Sequence, residues 1–218
     1  MQIAIDGPAG AGKSTVARKL AEKLDYIYID TGAMYRALTW KAVKSEIDLT
    51  DEAALYKLAC NTNLFFDQSG DQQRVFCDND DVSEAIRSPL INANVSLVAA
   101  QPRVRMIMVK KQQDMARMHN VVMDGRDIGE QVLPGADFKF YITASIEERL
   151  RRRILEMKSQ GFDSDAASVR RQMEERDRMD RERSVGALKI LDDAVVINTD
   201  FMTIDEVIHK ILGIIGER

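Results

Sequence analysis

The sequence predicts an α/β fold: a parallel sheet flanked by helices, with a small antiparallel insert. Three observations predict it. A short apolar run ends in a glycine-rich turn that opens an amphipathic helix. Apolar strands and helical stretches then alternate. One stretch, residues 63–88, breaks that rhythm with short β-like pieces.

Gln2 to Asp6 is apolar and stops at Gly7, as a buried strand does. Residues 7–12 are the glycine-rich turn. From Lys13 to Leu24, Val16, Ala17, Leu20, Ala21 and Leu24 share one helical face. Residues 26–30 alternate aromatic and β-branched side chains, which favours a strand. Residues 32–43 read as a helix with Met34, Ala37, Leu38 and Ala42 inward, and Thr31 is placed to cap it. Leu64-Phe65-Phe66 and Arg74-Val75-Phe76 flank the turn signal Asp67-Gln68-Ser69-Gly70-Asp71, so a hairpin or three-stranded insert is expected.

Pro89, preceded by Ser88 as cap, and Pro102 each suit the first turn of a helix, the second helix ending near Met118. Val121-Val122-Met123-Asp124, stopped by Gly125, and residues 138–142 are further buried strands. Ser145 with Glu148 forms a capping box for a charged helix from Ile146 to Ser159. Residues 161–165 break the pattern before a second charged helix that reaches Met179. Residues 194–198 give the last strand, and residues 204–215 the last amphipathic helix.

A length of 218 residues suits one domain spanning 1–218. A net charge of -4 argues against a protein that coats nucleic acid. Positive charge is nevertheless clustered, at Arg149, Arg151, Arg152 and Arg153 and again from Arg170 to Arg183, which suits polyanionic small molecules. Cys60 and Cys77 have no metal-ligand spacing and read as free thiols in a reducing compartment. The chain opens directly on a strand-like segment and has no apolar run of membrane-spanning length, so a cytoplasmic protein is expected, with no membrane partner.

Gly7-Pro8-Ala9-Gly10-Ala11-Gly12-Lys13-Ser14 matches the phosphate-binding pattern G-x-x-x-x-G-K-[ST], between the strand and the helix that the pattern requires. Glycines permit positive φ and bring backbone N–H groups close to phosphate oxygens. Lys13 supplies a point charge for the β- and γ-phosphates, and the Ser14 hydroxyl suits Mg²⁺. The following helix aims the positive end of its dipole at the anion. The fold is thus of the P-loop NTPase type. The motif specifies binding of a nucleoside triphosphate and leaves the reaction open.

The rest of the chain supplies arginines for a phosphate acceptor, whose oxygens a guanidinium fork grips in pairs. Arg36 lies one turn into the helix that begins within Asp30-Thr31-Gly32-Ala33-Met34-Tyr35-Arg36. Asp124-Gly125-Arg126-Asp127-Ile128-Gly129 ends a strand; Asp124 suits a metal-supporting carboxylate, Arg126 a phosphate clamp, and Asp127 a base-edge or ribose acceptor. The mixed charges from Arg176 to Arg183 form mostly a solvated helix face, from which selected members can turn inward.

Taken together, Gly7 to Thr15, the Asp30 to Arg36 segment, Pro102-Arg103-Val104-Arg105, the Asp124 to Gly129 turn and Arg176 to Arg183 closely resemble the bacterial cytidylate kinase family, in the same order and over nearly the whole chain. The resemblance implies ATP-dependent phosphorylation of CMP or dCMP, with ATP bound by Gly7, Pro8, Ala9, Gly10, Ala11, Gly12, Lys13, Ser14 and Thr15. It implies that Arg36, Arg105 and Arg126 hold the acceptor phosphate. Ser96, Asp127 and Arg183 would then read the cytosine, and Arg176 and Asp180 would complete the pocket near the sugar, with Thr31 and Tyr35 alongside. Thr31 stands where many relatives carry Ser, and its hydroxyl survives. The resemblance makes residues 60–95 an insert of the nucleoside-monophosphate-binding region and residues 149–166 a short helical lid, with Arg149 and Arg153 as candidates for triphosphate contact.

Lys13, Arg126 and Asp127 are therefore expected at the transfer itself, with Mg²⁺ held by Ser14 and Asp124. The acceptor is already anionic, so no strong general base is needed, and His119 and His209 have no expected role. The expected partners are ATP and CMP or dCMP acting on a monomer, and no nucleic acid. Two alternatives remain from the residues alone: a kinase of the same architecture acting on AMP, UMP or shikimate, and a nucleotide-binding switch using the arginines from 149 to 153 on nucleic acid.

Overall fold

The computed structural model describes residues 1–68, 73–159, 161 and 165–217. The turn expected over 67–71 and the break over 161–165 fall largely outside them. The chain divides into two compact units, Met1–Tyr28 with Met118–Arg218, and Ile29–Arg117.

The first unit is built on a five-stranded sheet in the order β2-β6-β1-β7-β8, with β1 Gln2–Asp6, β2 Ile27–Asp30 (whose second half enters the other unit), β6 Val121–Gly125, β7 Phe138–Thr143 and β8 Val195–Asn198. β1 runs parallel to both β6 and β7, and β7 runs parallel to β8. Ile3, Ile5, Val122, Phe140, Ile142 and Ile197 are buried strand residues of one core. Val16 and Leu20 of α1 (Lys13–Leu24) and Val207, Ile208 and Ile211 of α8 (Ile204–Gly216) pack into it. Continuous apolar strands covered by helices are what a buried parallel sheet requires. Gly7 takes φ 147°, and a Cβ there would overlap the Ile142 carbonyl, so only glycine lets the chain leave β1 against β7.

The second unit holds α2 (Thr31–Lys44), α3 (Glu52–Cys60), α4 (Pro89–Ala100) and α5 (Pro102–Ala116), with an antiparallel sheet of β3 (Leu64–Asp67), β4 (Arg74–Cys77) and β5 (Asp80–Asp81) in that order. α2 packs on α4 and β4, and α3 on α5.

Four local details differ from the sequence reading. Asp30, not Thr31, caps α2, accepting from Ala33 N at 2.7 Å, so Thr31 is the first helical residue and is buried. The carboxylate, a stronger cap than a threonine hydroxyl, takes the position. At α6 (Ile146–Ser159) only half of the capping box forms. Ser145 Oγ accepts from Glu148 N at 3.3 Å, but the Ser145 N–H goes to Asp200 at 2.9 Å. Glu148 is occupied by Arg151 and Arg152, which also hold its carboxyl down at about 2. The complete box is at α8, between Thr203 and Glu206. Finally, α3 and a π-helical turn at Ile128–Val132 carried no sequence signal that was read. α7 (Ala166–Glu182) runs three residues beyond Met179.

Ile208 is fully buried on α8, whereas Phe201, just before that helix, is 99% exposed. Ile208→Ala is expected to cost about 2–5 kcal/mol and Phe201→Ala to stay within about 0.5 kcal/mol, measured by urea denaturation of the two variants.

Candidate active site

Within the first unit the phosphate-binding loop follows β1. Gly10 and Gly12 take φ of 77° and 90°, outside the range other residues adopt easily. Gly12 caps α1 without any side-chain bond, so the amides of the first turn face no local side chain and carry the positive end of the dipole. Lys13 is buried, and its Nζ donates to the Pro8 carbonyl at 2.7 Å. Burial, reinforced by the nearby Arg126, pushes its ammonium down to about 7, while Asp124 pulls the other way.

Ser14 Oγ donates to Asp124 Oδ2 at 2.8 Å, and the Tyr28 hydroxyl donates to Asp124 Oδ1 at 2.8 Å. A hydroxyl and a carboxylate are hard oxygen donors. Two such ligands, completed by phosphate oxygens and water, suit a Mg²⁺ ion. No cluster of three or more His, Cys, Asp or Glu side chains able to hold a metal occurs among the described residues.

After β6 the chain turns through Arg126 and Asp127. Arg126 Nε donates to Asp180 Oδ2 at 2.7 Å, Arg183 NH1 lies 3.4 Å from Asp180 Oδ1, and Arg183 NH2 lies 3.7 Å from Asp127 Oδ1. Arginine and carboxylate thus alternate along a buried chain. Burial alone would raise the Asp180 carboxyl, but Arg126, Arg176 and Arg183 hold it below the usual range. Arg176, on α7, is half-buried.

Two arginines of α6 brace the loop from outside. Arg149 donates to the Ala9 carbonyl at 3.0 Å and pairs with Asp177 of α7 at 2.7 Å, both side chains buried. Arg152 donates to Ala11 O at 3.3 Å and Thr199 O at 2.8 Å. Arg153 turns instead to Glu156 at 2.7 Å. Residues three and four apart share a helix face, so all three arginines lie on one side of α6, and 149 and 152 are the two that bond the loop.

In the second unit, Arg36 pairs with Asp30 at 3.0 Å, and its Nε is buried without a hydrogen-bond partner. A Cβ on Gly32 would sit 3.2 Å from Arg36 NH1, so that glycine leaves room for the guanidinium. Arg105 is 1% exposed, donates to Ala99 O at 3.0 Å, and stacks over the buried Tyr35 ring at 5.4 Å. Ser96 is half-buried on α4. His209 faces out from α8, its Nδ1 2.8 Å from the Asp205 carbonyl oxygen.

The sequence reading missed Tyr28, Asp6, Arg152, Asp177 and Thr199. In the sequence Tyr28 is one aromatic of a strand, and its hydroxyl bond to Asp124 is set by a residue 96 positions away. Asp6 was read as the end of a strand.

A glycine turn with positive-φ glycines and a buried lysine, next to a serine–aspartate pair, defines the P-loop nucleotide-binding class. Comparison with known proteins narrows the class. The cytidylate kinase family model matches residues 3–217. The chain belongs to the cytidylate kinase family. It is 48% identical over 216 residues to a cytidylate kinase of Bacillus cereus strain G9842, covering 99% of this chain and 96% of that one. It is 47% identical to a cytidylate kinase of Bacillus thuringiensis strain Al Hakam, with the same coverage. At the level of fold it is similar to an uncharacterized protein of Eubacterium ventriosum, with TM-score 0.53, 14% identity and coverage of 100% of this chain and 99% of that one. Shikimate kinase of Bacteroides thetaiotaomicron gives TM-score 0.50 and 13% identity, with coverage of 99% and 98%. No helix among the described residues is long and apolar enough to cross a membrane.

Because the folded protein lowers the Lys13 pKa, the unfolded chain binds more protons between about 7 and the ordinary lysine value. Burying the charged ammonium therefore costs stability below pH 7, and this cost is lost as pH rises toward 10.5. Lys13→Met is expected to be more stable than the parent at pH 6, with the gap shrinking by pH 9, as read from urea midpoints at the two pH values.

Proposed function

We propose that the chain transfers the γ-phosphoryl group of ATP to CMP or dCMP, giving CDP or dCDP and ADP. The observation that carries the reading is the alternating chain of Arg126, Asp180, Arg183 and Asp127 in the same unit as a P-loop lysine, in a member of the cytidylate kinase family. The P-loop supplies the donor grip. The guanidinium groups, paired with carboxylates, supply what a phosphate acceptor needs.

In this reading Arg36, Arg105 and Arg126 bind the acceptor phosphate. The buried Arg36 Nε without a hydrogen-bond partner supports that role, because it has donor capacity left for an anion. Ser96, Asp127 and Arg183 read the cytosine edge, while Arg176 and Asp180 contact the sugar, with Thr31 and Tyr35 beside them. Lys13 neutralises charge on the transferring phosphoryl group, and Arg149 and Arg152 hold the loop carbonyls that shape its cradle. Ser14 and Asp124 would hold Mg²⁺ arriving with ATP, which would supply positive charge to offset that of the phosphates. Residues 60–95 serve the acceptor side and residues 149–166 act as the lid. Arg153 is the lid residue whose present partner, the exposed Glu156, is easily exchanged for phosphate. The enzyme works as a cytoplasmic monomer in pyrimidine nucleotide metabolism.

With ATP and Mg²⁺, coupled ADP-release assays on CMP, dCMP, UMP and AMP are expected to rank CMP and dCMP first. Fast turnover of AMP with none of CMP reverses the assignment. Lys13→Ala is expected to abolish transfer, and Arg126→Ala to reduce kcat/KM for CMP by about 100-fold or more while ATP binding is nearly kept.

A further inference from the structure

We infer that Asp6 is a positioning residue for the acceptor turn: it caps that turn from β1 and so leaves the Asp127 carboxylate to Arg183. The inference rests on the phosphotransfer reading for its consequence and on hydrogen bonds for its premise.

The first amides of a helical turn are usually satisfied by the side chain of the residue just before it, and aspartate is among the best residues for the task. The π-helical turn Ile128–Val132 is preceded by Asp127, yet Asp127 makes no cap bond and has φ -144°. Its carboxylate lies instead 3.7 Å from the Arg183 guanidinium. The two amides go to a residue more than a hundred positions away. Asp6 Oδ1 accepts from Ile128 N and Asp6 Oδ2 from Gly129 N, each at 2.8 Å.

The surroundings fit this assignment. A Cβ on Gly129 would lie 3.4 Å from Asp6 Oδ2 and 3.1 Å from both Lys139 Cδ and Leu191 Cδ1, so the absence of a side chain keeps the approach open. Asp6 is itself buried, and burial raises its carboxyl to about 6 against the pull of the two amides, so it is mainly the doubly accepting carboxylate above that pH. Asp6 also directly precedes Gly7, where the donor loop begins. One side chain therefore ties the donor loop to the turn that carries Arg126 and Asp127.

Asparagine at position 6 has one accepting oxygen, and its NH₂ would face an N–H. The turn then lacks a partner for one amide, and Asp127, the residue at the cap position, carries the carboxylate placed to supply it, at the expense of Arg183. The test compares Asp6→Asn, Asp127→Asn and the double variant by steady-state kinetics with CMP and by titration with a fluorescent ATP analogue. Asp6→Asn is expected to raise the CMP KM about tenfold or more, with the analogue Kd within about threefold of the parent. The double variant is expected to lose no more than the worse single one, since both act through one carboxylate. An unchanged CMP KM in Asp6→Asn, or additive losses in the double variant, overturns the inference.

Amide hydrogen exchange decides the case even if Asp6→Asn does not fold. Ile128 and Gly129 are expected to be protected in the parent and equally protected in Asp127→Asn, whereas loss of their protection in Asp127→Asn shows that Asp127 is the cap. Failure of the parent to phosphorylate CMP overturns the functional reading instead, and the exchange result still decides the capping.

Discussion

An ammonium group is costly to keep charged inside a protein, and Lys13 sits in that position at the start of α1, pressed against the carbonyl of Pro8. Its hydrogen-bond partner is that neutral carbonyl, and the pull of Asp124 only partly offsets the burial. Gly7 must hug β7, Gly10 and Gly12 must turn with positive φ, and no side chain caps the helix behind them. In the proposed reading a polyphosphate suits all of these features at once: its oxygens can accept from the amides, its charge suits the positive end of the dipole and favours the charged lysine. The loop is held in this form by bonds to its outer side. Arg149 and Arg152 take the Ala9 and Ala11 carbonyls, leaving the amides facing the other way.

The same economy governs the buried guanidinium groups. Arg126, Arg183 and Arg149 are each matched to a carboxylate, because an isolated buried charge is unaffordable while a paired one is tolerable. Such pairs contribute little net stability; they fix geometry. Asp180 stands between two arginines and sets the separation of their forks, and Asp6 performs a comparable task for the turn beneath them by bonding its amides.

Much of this was legible from sequence. Strand–turn–helix order, the apolar faces of α1 and α8, and the three-stranded insert follow local periodicity and turn chemistry. Lys13, Ser14 and Asp124 follow from a motif and a strand end. The relations that escaped are those set by distant partners. Asp30 displaces Thr31 as a cap. Glu148 leaves its box for Arg151 and Arg152. Asp6 bonds amides 122 and 123 residues away. Tyr28 bonds Asp124 across 96 residues. No window of neighbouring residues contains such information. Among the clustered arginines, neither charge nor helical phase distinguishes Arg152 from Arg153, since both lie on the face of Arg149; their partners do, Ala11 and Thr199 for Arg152 and Glu156 for Arg153.

The most direct test of the loop as the donor site is a crystal structure with a non-hydrolysable ATP analogue and Mg²⁺. The account predicts that Lys13 Nζ leaves the Pro8 carbonyl for the β- and γ-phosphate oxygens, with the amides of the 7–14 loop pointing at the same phosphates. A bound analogue whose phosphates lie elsewhere, with Lys13 still on Pro8, would contradict it.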